Sequence, residues 1–128
     1  MIYLLDLNAL IALAHETHTS HDAAVRWRSS LSKGSRLATC AITEIGFLRV
    51  TVQARLQPDV TTARTALTRH KASASYTILT DDLGADSLPA YVTKPAEITD
   101  GHLLALAKYH RAKLVTFDAG IPGAELVS

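Results

Sequence analysis

Residues 1–14 read MIYLLDLNALIALA, and their interpretation decides the fold. Ile2 to Leu5 is a continuous apolar run stopped by Asp6, the pattern of a short buried strand. Asn8 is placed to cap a helix running through about His15. A strand leading at once into a helix is the opening half of a β–α unit. The same stretch is apolar enough to suggest an export signal. However, no Lys or Arg precedes the run, the first being Arg26, and Asp6 and Asn8 interrupt it. No apolar stretch reaches the roughly 18 residues that a membrane span needs. The expectation is a cytoplasmic protein with no membrane segment.

The alternation continues downstream. Thr19 or Ser20 caps a second helix with Ala23, Ala24, Trp27 and Leu31 on one face, and Gly34 ends it. Arg36 to Cys40 reads as a second strand. A helix from about Ile42 to Leu56 follows, with Ile45, Leu48, Val52 and Leu56 at helical spacing. Pro58 and Asp59 start another helix, to about Ala72. Tyr76 to Leu79 is a third strand, Asp81 to Glu97 mixes helical turn with loop, and Thr99 to His110 is a helix with Leu103, Leu104 and Ala107 inward. Lys113 to Phe117 is the last strand, and a short tail closes the chain. Such alternation predicts an α/β fold, a mostly parallel sheet flanked by helices on both faces. The 128 residues suit one domain, 1–128, and 48% apolar with 20% charged residues is near the globular average. Cys40 is the only cysteine, so neither a disulfide nor a cysteine zinc cage is available.

In parallel α/β sheets, function sits beyond the carboxyl ends of the strands. Four acids fall there: Asp6 after the first strand, Glu44 early in the helix after the second, Asp100 opening the late helix, and Asp118 after the last strand. Glu44 and Asp100 also suit helix N-termini, and Asp118 suits a turn before Gly120. Asp6 is harder to explain structurally, because it interrupts an apolar segment where a lone charge is costly. Two carboxylates about 5 Å apart repel by roughly 3 kcal/mol at an effective dielectric near 20. A cluster therefore calls for a counter-charge, and no Lys or Arg adjoins these positions in sequence. A hard dication, Mg²⁺ or Mn²⁺, meets that need with oxygen ligands and serves phosphate chemistry.

Net charge is +1, but residues 20–72 carry +6 against −2 before and −3 after, a distribution suited to a polyanion held near a cation site. Arg26, Arg28 and Arg49 are the candidate phosphate contacts. His15, His18 and His21 repeat every third residue, but His15-Glu16-Thr17-His18 is one residue short of the His-Glu-x-x-His zinc pattern, and the intervening Thr and Ser favour a loop. A structural or surface role is expected for them, a packing role for Trp27, and burial for Cys40.

Leu5-Asp6-Leu7-Asn8-Ala9-Leu10 resembles the opening of PIN-domain nucleases, especially the VapC-type toxins of toxin–antitoxin pairs. His21-Asp22-Ala23-Ala24 with Trp27, Thr43-Glu44 with Phe47-Leu48-Arg49-Val50, Thr99-Asp100-Gly101-His102-Leu103-Leu104, and Leu114-Val115-Thr116-Phe117-Asp118 resemble its later segments in order. The resemblance spans residues 2 to about 121. It implies a PIN-like three-layer sandwich and a metal-dependent endoribonuclease, with Asp6, Glu44, Asp100 and Asp118 as catalytic ligands of one or two Mg²⁺ or Mn²⁺ ions. Activated water would attack phosphorus in line, leaving a 5′-phosphate and a 3′-hydroxyl. Asn8 and Thr116 would orient the carboxylates. The implied partners are RNA, a cognate antitoxin and a second copy of the chain. One departure is Ala119, where a basic residue often follows the last acid. The alternatives are a receiver-like phosphoacceptor domain, an Asp-nucleophile phosphatase and a catalytically inert PIN-like RNA-binding module. The first lacks its paired acids and late Lys, and the second has Asn8 where Asp-x-Asp needs an acid.

Overall fold

In the computed structural model, which describes residues 1–128, strands β1 (Ile2–Leu5), β2 (Arg36–Cys40), β3 (Thr77–Leu79), β4 (Lys113–Thr116) and β5 (Glu125–Leu126) form one sheet. The order is β3-β2-β1-β4-β5, and every pairing is parallel. The helices are α1 (Leu7–Ala14), α2 (His21–Ser29), α3 (Ala41–Gln53), α4 (Val60–Ala74) and α5 (Ile98–Tyr109), with short 3₁₀ turns at Ala85–Ser87 and Pro95–Glu97. No helix is long and apolar enough to cross a membrane.

Strand alternation sends side chains to two layers. Leu5, Leu37 and Val115 join one apolar cluster with α1, Ala24, Phe47 and Leu67. Leu4, Ala38, Cys40, Leu79 and Leu114 join the other with Leu103, Leu104, Leu106 and Ala107 of α5. The sheet is thus covered on both faces, which is why its strands read as unbroken apolar runs.

Three local expectations are corrected. Asp6, not Asn8, caps α1: its Oδ1 accepts from the Ala9 N–H at 2.8 Å, and Asn8 is exposed. Helix α2 stops at Ser29, well before Gly34, because the Ser30 N–H turns back to the Arg26 and Trp27 carbonyls and its hydroxyl donates to Trp27 at 2.6 Å. Gly34, at φ 89°, serves the following turn instead. The closing tail contains a strand, β5, held by the Val127 N–H on the Thr116 carbonyl at 2.8 Å and by the Trp27 Nε1–H on Glu125 Oε2 at 2.6 Å. Trp27 also meets the Tyr3 ring edge-on at 5.5 Å, so its role here is packing and anchoring.

The buried side of α3 is also rotated from the expected one. Thr43, Gly46, Phe47 and Thr51 face inward, while Ile42 and Ile45 are exposed. Gly46 lets α1 pack closely: a Cβ there would lie 3.0 Å from Leu7 Cδ2, and the Leu7 side chain would have to shift to admit it.

The histidines are used within the fold. His15 is buried, its Nδ1–H donating to the Ile11 carbonyl at 3.0 Å while Nε2 accepts from the Gln57 amide at 2.8 Å. His21 Nδ1 donates to the Ala12 carbonyl at 2.7 Å, and His18 Nδ1 accepts from the Ser20 N–H at 3.0 Å. His70 on α4 bonds the Tyr76 hydroxyl at 2.7 Å, and burial, then Arg28, His15 and His21, push its pKa from 6.5 down to about 4. A depressed base adds stability above its unfolded pKa, and this is lost as pH falls through the folded one. Full conversion of the shift gives about 3 kcal/mol, which partial exposure screens to roughly 1–2 kcal/mol. Stability is therefore expected to fall between pH 6.5 and about 4 through His70. NMR titration of its ring checks this, and a midpoint near 6.5 would contradict it.

Candidate active site

The strand register brings distant acids to one edge. The Asp6 N–H extends the β1–β4 ladder by donating to the Val115 carbonyl at 2.9 Å. This places the Asp6 carboxyl beside Thr116, whose buried hydroxyl favours the ionised form, as does the Ala9 N–H. Thr116 Oγ1 also accepts from the Asp118 N–H at 3.0 Å, so one hydroxyl links both acids. Asp118 is exposed, and its Oδ1 accepts from the Gly120 N–H at 2.8 Å, fixing the turn after β4. Asp100 stands in the first turn of α5, half-buried.

Electrostatics ties three of these acids together. Asp6 is only 6% exposed, and burial raises its pKa, with Asp100 and Asp118 raising it further. Asp100 is raised by burial and by Asp118. No Lys or Arg acts on either group to offset this. Asp100 and Asp118 thus lie near enough to Asp6 to raise its pKa.

Glu44 is held differently. Its Oε2 accepts from the Thr39 hydroxyl at 2.5 Å and from Lys71 Nζ at 2.7 Å. The counter-charge that was missing nearby in sequence comes from α4, and Glu44 does not act on Asp6 or Asp100. The arginines are not gathered at the acids either. Arg26 and Arg49 are exposed, and Arg28 acts on His70 and Tyr76. Asn8 makes no side-chain contact that would orient a carboxylate.

Sequence reasoning missed Lys71, Thr39 and Tyr91. Tyr91 lines a cavity of about 170 Å³ together with Glu97, Asp100, Asp118, Gly120 and Ile121. Its hydroxyl is the one buried side-chain polar atom without a hydrogen-bond partner. Burial, then Asp100, Glu97 and Asp118, raise its pKa, so it stays a donor with nothing to receive its proton. Gly101 makes this wall possible, because a Cβ there would collide with the Val92 side chain. A buried unsatisfied hydroxyl costs about 1–3 kcal/mol. Tyr91→Phe is therefore expected to raise the melting temperature of the ligand-free protein by a few degrees, a gain of about 1 kcal/mol. A lower melting temperature would show that the hydroxyl has a stabilising partner.

No three His, Cys, Asp or Glu side chains stand close enough to share an ion as they are. In kind, the chemistry of the aspartates suits a hard dication: oxygen donors only, like charge and no basic neighbour. The three histidines do not converge on a second site.

Comparisons with known proteins agree with this architecture. The family model of the PIN domain matches residues 3–124. Ribonuclease VapC38 of Mycobacterium tuberculosis is 37% identical over 123 residues, covering 92% of this chain and 86% of that protein. Ribonuclease VapC44 of the same species is 36% identical over 135 residues, covering 94% and 92%. Among solved structures, VapC20 of Mycobacterium tuberculosis, a Sarcin-Ricin loop cleaving toxin, superposes with a TM-score of 0.68 at 12% identity, covering 98% of this chain and 99% of that one. VapBC2 from Rickettsia felis, bound to a DNA fragment from its promoter, gives 0.67 at 17% identity, covering 98% and 97%. With the fold shared along nearly its whole length and close sequence relatives among the VapC ribonucleases, the chain belongs to the PIN-domain family.

Proposed function

We propose that the chain is a metal-dependent endoribonuclease, the toxin of a toxin–antitoxin pair, that hydrolyses RNA phosphodiesters to a 5′-phosphate and a 3′-hydroxyl. The carrying observation is that Asp6, Asp100 and Asp118, from three separate elements, press charge on one another at one sheet edge with no basic group to relieve it. The ribonuclease relatives and the toxin–antitoxin structures of similar fold support this reading.

Asp6, Asp100 and Asp118 would hold Mg²⁺ or Mn²⁺. When bound, the ion supplies charge neutralisation at the scissile phosphate and acidifies water at neutral pH. Thr116 orients Asp6 and the Asp118 backbone, so both acids face the edge in a fixed relation. Tyr91 lines the cavity shared by Asp100 and Asp118, with its hydroxyl buried. Asp6 is already tied to the Ala9 N–H and Thr116, which limits its reorganisation when substrate binds. A cognate antitoxin and a second copy of the chain are the proposed partners, in the cytoplasm.

The test is end-mapping of fragments made from total RNA by wild type and Asp100→Asn, with and without Mg²⁺. Discrete 5′-phosphate ends are expected only with wild type and Mg²⁺. Unchanged cleavage in excess EDTA would overturn the reading.

A further inference from the structure

We propose that the exposed side of α4 seats the phosphate backbone of the RNA strand flanking the cut, held by Arg64 and Arg69. The proposal deepens the nuclease reading and rests on it.

The composition of α4 sets it apart. Val60–Ala74 carries Arg64, Arg69 and Lys71, hydroxyls at Thr61, Thr62, Thr65, Thr68 and Ser73, and no acid. Only Ala63 and Leu67 are buried, so the helix lies at the surface, where both signs of charge ordinarily interleave. Thr61, Thr65, Thr68 and Ala72 are exposed and follow one another along a single line of the helix. Arg64 and Arg69, also exposed, flank that line, one on each side. The Thr65 and Thr68 hydroxyls donate to the Thr61 and Arg64 carbonyls. The line is therefore an uncharged floor, and the two guanidinium groups supply the attraction.

No carboxylate neutralises them. Residues 41–74 hold five basic residues against two acids, whereas the rest of the chain holds eight against ten. Both of those acids are engaged, Glu44 by Lys71 at 2.7 Å and Asp59 by the Thr62 N–H at 2.7 Å. Neither Arg64 nor Arg69 forms an ion pair. A polyanion is the complementary partner.

The position of α4 fits a strand that runs on from the acid edge. The Lys71–Glu44 contact joins the last turn of α4 to the first turn of α3. Helix α3 follows β2 directly, at the edge of the parallel sheet that carries Asp6 and Asp118. Helix α4 therefore ends at that edge, with the rest of its length leading away. At 1.5 Å per residue, Arg69 and Arg64 lie about 3 and 10 Å from Lys71 along the axis. The seat is for backbone and not for bases. The one Phe, Tyr or Trp within residues 41–74 is Phe47, fully buried, so no ring is offered for a base to stack on.

The experiment measures fluorescence anisotropy of a labelled mixed-sequence RNA oligonucleotide on full-length Asp100→Asn, which leaves the probe uncut, across a salt series. Adding Arg64→Gln and Arg69→Gln is expected to weaken binding about tenfold at about 0.1 M salt. The slope of log affinity against log salt should become shallower by about 1.4, roughly 0.7 for each lost contact. Arg64→Lys with Arg69→Lys should stay within about twofold, since the charge is kept. Lys33→Gln with Arg36→Gln removes two exposed charges where β2 begins, at the opposite end of the sheet, and should also stay within about twofold. Unchanged binding in the Arg64/Arg69 glutamine pair, or an equal loss in the Lys33/Arg36 pair, would overturn the proposal and leave the nuclease reading standing. So would arginine variants that keep RNA but lose polyglutamate, which would make α4 a seat for an acidic polypeptide. Failure of Asp100→Asn to bind the RNA at low salt would count against the nuclease reading and this proposal together.

Discussion

Asp100→Asn is expected to cleave RNA about a thousandfold more slowly than wild type, with melting temperature unchanged or raised. The size follows from the role: removing one preorganised charged group from a low-dielectric site commonly costs about 10²–10³ in rate. The amide keeps the shape of the carboxyl and its place in the first turn of α5, so the fold has no reason to suffer. Stability moves the other way because Asp100 is disfavoured by burial and by Asp118. Its folded pKa lies above the ordinary 3.8, so its ionisation erodes stability as pH rises through the folded value. The amide escapes that cost. Single-turnover cleavage of a defined RNA together with a thermal melt checks both halves. Cleavage within tenfold of wild type would remove Asp100 from the mechanism.

Phe47→Ala is expected to cost about 3–5 kcal/mol, the usual range for emptying a buried Phe site. The reason lies in the composition of the inward side of α3. Its other buried residues are Thr43, Gly46 and Thr51, so Phe47 is the only fully buried large apolar side chain of the helix, with Leu48 and Val50 packed at the cluster's edge. It is fully buried, belongs to the cluster of Leu5, Leu10 and Val115, and lies against the His15 ring at 5.4 Å. The threonines cannot move in to fill the void: Thr51 donates to the Phe47 carbonyl at 2.6 Å, and Thr43 closes the N-terminal turn on Cys40. Urea unfolding checks the figure, and a loss below about 1 kcal/mol would mean that α3 is anchored elsewhere.

The same helix shows where the sequence was legible and where it was not. Strands β1, β2 and β4 announced themselves as short apolar runs because a parallel sheet buries both their faces. Asp6 and Asp118 stood out because each follows such a run directly. The inward side of α3 was hidden because its packing is set by a glycine and by hydroxyls bonded along the helix, while apolar Ile42 and Ile45 remain exposed. Hydrophobic periodicity has no term for either. Strand β5 is too short for a pattern and depends on Trp27, distant in the chain, to hold Glu125. Lys71 was invisible for a similar reason: its partner Glu44 lies on another helix, and no sequence spacing relates two helices joined only by packing. Tyr91 sits in an irregular segment where no periodicity operates.

Thermal melts of wild type and Asp6→Asn, each metal-free and with Mn²⁺, test most directly whether like charge is stored at this edge. Asn caps helices as well as Asp does, and its amide can serve the Ala9 N–H and Thr116, so the substitution isolates charge. The account predicts that Asp6→Asn melts higher than wild type without metal, and that Mn²⁺ raises wild type while leaving Asp6→Asn in place. A lower metal-free melting point for Asp6→Asn, with wild type indifferent to Mn²⁺, would contradict it.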